Sequence, residues 1–208
     1  MWGYDDSPSL VFDGFDFSLD QWTFTVLSGK SGTWKSSLIK LLLGQVDLPV
    51  KSIYHKGDDI ARYSYNEMQA YRRNIWVVFQ DYKLLDWMTV KDNILYPLRI
   101  AELSSETIEE KYNYVVNLLN LHKHAETPVK LLSGWHKQKV AIARALVHNP
   151  EFIMADEPTW NLDWEDTKNI ADILLDLHSK GITILLVTHD LHLIEYMKLK
   201  KAINVVHL

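Results

Sequence analysis

The sequence predicts an α/β fold: a mostly parallel sheet flanked by helices, with an all-helical segment inserted into it. Three observations predict this. Short apolar runs alternate with helical patterns along most of the chain, as expected of strands joined by crossover helices. The apolar run 23–27 enters the small-residue loop Gly29-Lys30-Ser31-Gly32-Thr33-Trp34-Lys35-Ser36-Ser37, and an amphipathic helix leaves it. From about residue 81 to about 150 only helical periodicity remains. The 208 residues suit one large domain, 1–208, carrying that helical segment as a sub-domain.

The elements follow in order. Residues 10–19 alternate apolar and polar positions, as in a half-buried strand. Asp20-Gln21-Trp22 is a turn, and 23–27 is the strand that delivers the loop. The helix from about Ser36 stops at Gly44, where a glycine can adopt the left-handed cap. Strands follow at 50–55 and 75–79, with a helix over 65–73 between them. The helical segment holds 90–100, which Pro97 should break, then 105–121, capped by Ser104 or Ser105. In the latter, Ile108, Tyr112, Val115, Val116 and Leu119 share one face. A further helix, 136–148, stops before Pro150. Strand 152–155, helix 165–178, strand 182–187, helix 191–197 and strand 202–206 complete the chain.

Composition narrows the function classes. A hydrophobic content of 47% supports a real core. A net charge of −5 speaks against a nucleic-acid partner. With no cysteine, disulfides and thiolate metal sites are excluded. No apolar run approaches 18 residues, so a role at a membrane would be peripheral.

In open α/β sheets, ligands bind beyond the carboxyl ends of the strands. Four strands end in polar residues there. The first delivers the loop, whose N–H groups and following helix can hold phosphates, with Lys35 neutralising charge and Ser36 binding Mg²⁺. A second ends in Asp156-Glu157: one acid suits Mg²⁺, and the other can deprotonate a water. A third ends near His189, which could sense a γ-phosphate, and a fourth at Gln80, within reach of Mg²⁺ or water. Singly, each reads two ways. The loop could be a Gly/Ser turn, the acids a pair favoured by a helix N-terminus, and His189 a surface or core histidine. Together and in this order they point to phosphoryl transfer from a nucleoside triphosphate.

Leu132-Ser133-Gly134-Trp135-His136-Lys137-Gln138, followed by an apolar helix, resembles the signature motif of the ABC ATPases. Asp156-Glu157-Pro158-Thr159-Trp160-Asn161-Leu162-Asp163 is similar to their Walker B motif and D-loop, and Thr188-His189-Asp190 to their switch histidine. The resemblance covers nearly the whole chain and implies the P-loop NTPase fold of that family. Residues 77–85 and 96–100 look most like the bacterial cell-division type, FtsE; lipoprotein-release and macrolide-export ATPases are also similar.

The resemblance implies ATP and Mg²⁺ as cofactors and a head-to-tail homodimer in the ATP-bound state. Residues 29–37, including Lys35 and Ser36, would bind ATP, with Ser36, Gln80 and Asp156 at the metal. Glu157 would be the catalytic base, assisted by His189 and Gln80. Ser133, Gly134 and Gln138 would contact ATP from the other copy, and Asp163 would communicate across the interface. Tyr4 is the candidate for stacking on adenine; the strand the family places before it is missing, which implies a start further upstream. An integral membrane partner resembling FtsX, or an exporter permease, would hold the chain on the cytoplasmic face of the membrane by meeting the helical segment.

One departure is systematic. Trp34, Trp135 and Trp160 occupy slots that the family fills with Gly, and Trp22 and Trp76 also stand where relatives usually have it. Glycine lets the loop take left-handed angles and lets phosphate approach closely. A genuine Trp set would make the chain a non-hydrolysing module that kept its fold. Yet Lys35, Gln80, Asp156, Glu157 and His189 are intact. A UGA codon means Trp in some codes and Gly in others, and reading the 8 Trp as Gly would double the 8 Gly present, close to the usual ≈ 7%. His136, where relatives often carry Glu or Gln, is not explained in this way.

Overall fold

The computed structural model describes residues 17–29, 35–46, 51–101 and 103–207. Strand β1 (Phe24–Ser28) is buried along its whole length. Its sequence is apolar on both faces because the sheet is covered on both. Phe24 and Val26 join one core cluster, and Leu27 joins the other. The same alternation divides the neighbouring strands. Ile153, Ala155, Ile184 and Leu186 face the first cluster, while Met154, Leu185 and Val187 face the second.

The sheet runs β4 (Ile75–Val78), β5 (Phe152–Asp156), β6 (Thr183–Thr188), β1, β7 (Asn204–His207), and every pairing is parallel. Register sets Ser28 beside Thr188, and Asp156 beside Val187. The carboxyl ends of the three central strands therefore finish level. Most of the strand expected over 10–19 lies outside the described residues; Phe17 and Leu19 pack on the second cluster. The strand expected over 50–55 is shorter. Only β2 (Tyr54–His55) forms, and it pairs antiparallel with β3 (Asp58–Asp59), a hairpin apart from the main sheet.

One face of the sheet is packed by α1 (Lys35–Leu42) and α2 (Tyr65–Arg73) through Leu38, Ile39 and Tyr71. The last carbonyls of α1 are orphan acceptors, and α2 satisfies them. Tyr71 donates to Leu42 O at 2.7 Å, and Arg72 donates to Leu43 O and Gly44 O at 2.7 Å each. Gly44 is left-handed, φ 58°, the conformation that favours glycine at this stop, and a Cβ there would displace only the flexible end of Met68, 2.8 Å away.

The other face carries α6 (Trp164–Ser179), α7 (Leu191–Lys200) and the helical segment. Among the described residues between β4 and β5 the elements are helices, α3 (Val90–Ile100), α4 (Ser105–Leu118), α5 (Gly134–Leu146) and short 3₁₀ turns, with one isolated antiparallel bridge between Thr89 and Pro128. Thr89, Ser104 and Ser133 cap α3, α4 and α5 by accepting from the N–H three residues on. α3 runs through Pro97, contrary to the expected break. Val90, Ile94 and Leu98 are fully buried along it, and that burial outweighs the missing backbone donor. The buried Asn93 amide holds the preceding loop: it accepts from Leu85 N–H at 2.8 Å and donates to Leu85 O and Thr89 O. α4 ends three residues before the expected limit, at Leu118, and α5 starts two residues before its own.

Candidate functional site

The site is built where β5 and β6 end. Beyond Asp156 the chain turns sharply: Glu157 takes the left-handed φ of 44°. For a residue with a Cβ, that conformation costs about 1–2 kcal/mol. It is held by the Glu157 N–H bond to Val187 O, 2.9 Å, across to β6. The turn drives the Glu157 side chain inward, where it is 4% exposed. A buried carboxylate needs donors, and the last residue of β6 and the one after it supply two. Thr188 Oγ1 donates to Oε2 at 2.9 Å, and His189 Nδ1 meets Oε1 at 2.5 Å. The carboxylate is thereby fixed in orientation and position. Strain at an acid with an over-determined side chain is a mark of a working site.

The alternative of an acidic pair at a helix N-terminus does not apply. α6 begins at Trp164, and its cap is Asp163, whose Oδ1 accepts from Asp166 N–H at 2.8 Å. Asp163 is exposed.

A cleft of about 590 Å³ opens at this edge of the sheet, lined by Gln80, Asp156, Trp160, Asn161 and the Ile39–Lys40 turn of α1. Gln80 lies just past β4, so the polar residues that end β4 and β5 converge on one space. Arg144 of α5 ties the loop after Gln80 to the helical segment, donating to Tyr82 O at 3.0 Å and Lys83 O at 2.7 Å. Both of those loop residues are left-handed, with φ 62° and 48°. Gly29 ends the strand side of the phosphate loop, and Lys35, Ser36 and Ser37 open α1. Tyr4, Lys30, Ser31, Gly32, Thr33 and Trp34 lie outside the described residues.

The oxygen donors suit Mg²⁺, which is held by one or two carboxylates and completes its octahedron with phosphate and water oxygens. Asp156 and Gln80 supply oxygens at the cleft, and the described residues contain no cluster of three or more His, Cys, Asp or Glu that would form an all-protein cage.

Ser133 and Gly134 of the signature segment do not line this cleft. Ser133 is exposed at the start of α5. At Gly134 a Cβ would come within 3.1 Å of Tyr82 Oη and 3.4 Å of Leu162, so the helix start packs closely on the cleft loop. Gln138 is 0% exposed, and neither side-chain polar atom has a hydrogen-bond partner among the described residues. The structure thus places Gln138 inside the helical segment, not beside Ser133 on the surface. Thr188 is the functional partner that the sequence reading missed; its place at the strand end next to His189 was the available signal.

The tryptophans sit poorly for tryptophans. Of the six among the described residues, four (Trp22, Trp87, Trp160, Trp164) are 44% exposed or more. Trp22 has φ 62°, the region that favours glycine. The Trp160 ring borders the cleft 6.2 Å from the His189 ring. Trp135 packs partly buried against the core, with Lys139 Nζ 4.9 Å over its ring.

Comparison with known proteins bears on this arrangement. The profile of the ABC transporter family matches residues 12–160. The cell division ATP-binding protein FtsE of Haemophilus influenzae is 36% identical over 192 residues, 92% of this chain and 88% of that one. The methionine import ATP-binding protein MetN of Halalkalibacterium halodurans is also 36% identical, over 88% of this chain but 54% of its own. Among solved structures, the dimeric ABC transporter cassette MJ0796 superposes with a TM-score of 0.78 at 26% identity, covering 92% of this chain and 83% of that one. CbiO1 from Clostridium perfringens, part of the transporter complex cbiONQ, gives 0.79 at 26% identity, covering 86% of this chain and 72% of its own. This chain belongs to the ABC transporter ATP-binding family.

Proposed function

We propose that this chain is the ATP-hydrolysing subunit of a membrane complex of the FtsE type. The observation that carries the reading is the buried Glu157, gripped by Thr188 and His189 beside a cleft lined by Gln80 and Asp156. Mg²⁺, when bound through Ser36, Gln80 and Asp156, supplies charge neutralisation for the phosphates. Glu157 accepts a proton from the attacking water on a carboxylate oxygen, a role worth about 10²–10⁴ in rate. His189 and Thr188 hold that carboxylate in place. Lys35 and the loop 29–37 bind the phosphates of the same copy, and Ser133 and Gly134 meet them from a second.

ATP binding closes the dimer and hydrolysis opens it. The Arg144 tie links the cleft loop to the helical segment, about 81–150, which would pass this motion to an integral membrane partner resembling FtsX. No helix among the described residues is long and apolar enough to cross a membrane; in this reading the partner holds the chain on the cytoplasmic face. The match to MetN favours a second reading: the ATPase of a transporter. Co-purification with the neighbouring membrane protein separates the two, by whether it is a division protein or a permease.

The glycine reading of the tryptophans belongs to this function. Exposed Trp side chains and a left-handed Trp22 are what glycine positions look like when filled with indole. Purified chain with Trp34→Gly, Trp135→Gly and Trp160→Gly is expected to hydrolyse ATP, and the chain as written to do so weakly. Absence of hydrolysis in both defeats the enzyme reading. The gene is expected to carry UGA at those three codons; UGG would defeat the glycine reading alone.

A further inference from the structure

Ser133 Oγ is close to two groups of one residue. It accepts from His136 N–H at 3.4 Å and lies 2.8 Å from His136 Nδ1. A serine hydroxyl has a single proton to give. If Nδ1 is bare, Ser133 must donate that proton to the imidazole and has none left for a phosphate. If Nδ1 carries hydrogen, Oγ accepts from it and the serine proton is free to turn outward. In an ordinary capping box the residue at this spacing bonds the backbone N–H of the cap; here the side chain reaches the hydroxyl instead.

We propose that His136 is a positioning residue: it donates from Nδ1 to Ser133 Oγ and so directs the Ser133 proton to a phosphate of nucleotide bound by a second copy of the chain. This rests on the dimeric reading above. The surroundings suit a neutral donor. The His124 ring, from the 3₁₀ turn His122–His124, lies 4.3 Å from the His136 ring. Burial, His124 and Lys139 of α5 push the His136 pKa below its ordinary value, against the pull of Asp166 on α6. At neutral pH the ring is uncharged, and the hydrogen bond selects which nitrogen keeps the proton. Acidification keeps the Nδ1 donor and adds positive charge beside the phosphate site.

The test has two arms. Imidazole ¹⁵N NMR of the chain reads the tautomer directly. The Nδ1–H form is expected at pH 7.5, with titration below the ordinary histidine range that moves up in His124→Ala; the Nε2–H form at pH 7.5 overturns the proposal. The second arm measures ATP-dependent dimerisation of the chain carrying Glu157→Gln and the three Trp→Gly changes. His136→Gln, which keeps an N–H donor, is expected to dimerise nearly as tightly, and His136→Leu about tenfold more weakly. Equal dimerisation by His136→Leu overturns the proposal while leaving the dimer standing. A parent that stays monomeric in ATP defeats the dimeric reading and, with it, this proposal.

Discussion

Glu157 and Ser133 both follow the end of a structural element or open one, yet their settings differ. Glu157 is 4% exposed, strained in its backbone, and bonded through both carboxylate oxygens to β6 and the residue after it. Ser133 is exposed and, among the described residues, bonded only within its own helical turn. A group that moves a proton gains from a fixed, water-poor setting, where its orientation need not be rebuilt at each turnover. A group that recognises a ligand on a second chain has to stay at the surface. On the dimeric reading proposed above, the contrast would separate a half-site completed within one chain from a half-site completed by association.

The sharpest break in that contrast is Glu157→Gln. It keeps the shape and removes the base, so hydrolysis should fall by about 10²–10⁴-fold while ATP-driven association persists; loss of both together would mean that Glu157 is structural. Next is Asn93→Ala, which leaves Leu85 N–H and O without their partner inside the helical segment. A loss of about 3 kcal/mol in denaturant unfolding is expected, and an unchanged midpoint would show that the segment carrying Ser133 does not depend on this anchor. Thr188→Val removes one of the two donors to Glu157, with an expected tenfold or greater fall in rate and little change in ATP affinity. A change in affinity alone would place Thr188 at the nucleotide and not at the base.

The smallest expected effect is that of pH. His55, His136 and His148 are all held below their ordinary value of 6.5, in each case chiefly by burial. A histidine whose pKa is lowered on folding contributes stability that is fully present above the unfolded value and is lost as pH falls below it. Unfolding midpoints should therefore drop between pH 7.5 and 5.5, by less than the Asn93→Ala effect. His148→Gln, which removes the ring stacked on Trp76, should flatten the dependence. An unchanged slope would exclude His148 as a contributor.

Much of this was legible in the residues, because strand ends and polar motifs share one register. The parallel sheet follows from buried apolar runs separated by helical periods, and Gln80, Asp156 and Glu157 follow from where those runs stop. Other features depend on contacts across the fold. Pro97 fails to break α3 because Val90, Ile94 and Leu98 are buried against other elements. The β2–β3 hairpin has only two residues per strand and no apolar alternation to betray it. Glu157 is left-handed because β6 holds it there, which no local pattern encodes. Gln138 sits four residues past Gly134, more than a full helical turn, and its 0% exposure is set by how α5 packs.

The central claim, a site finished only by a second chain, is tested most directly by sedimentation of the Glu157→Gln chain with Trp34, Trp135 and Trp160 changed to Gly, in saturating ATP and Mg²⁺, with and without Ser133→Ala. The account predicts a dimer holding two ATP for the parent, and an ATP-bound monomer at the same concentration for the Ser133→Ala chain. A parent that binds ATP and remains monomeric, or a Ser133→Ala chain that dimerises as tightly as its parent, would contradict it.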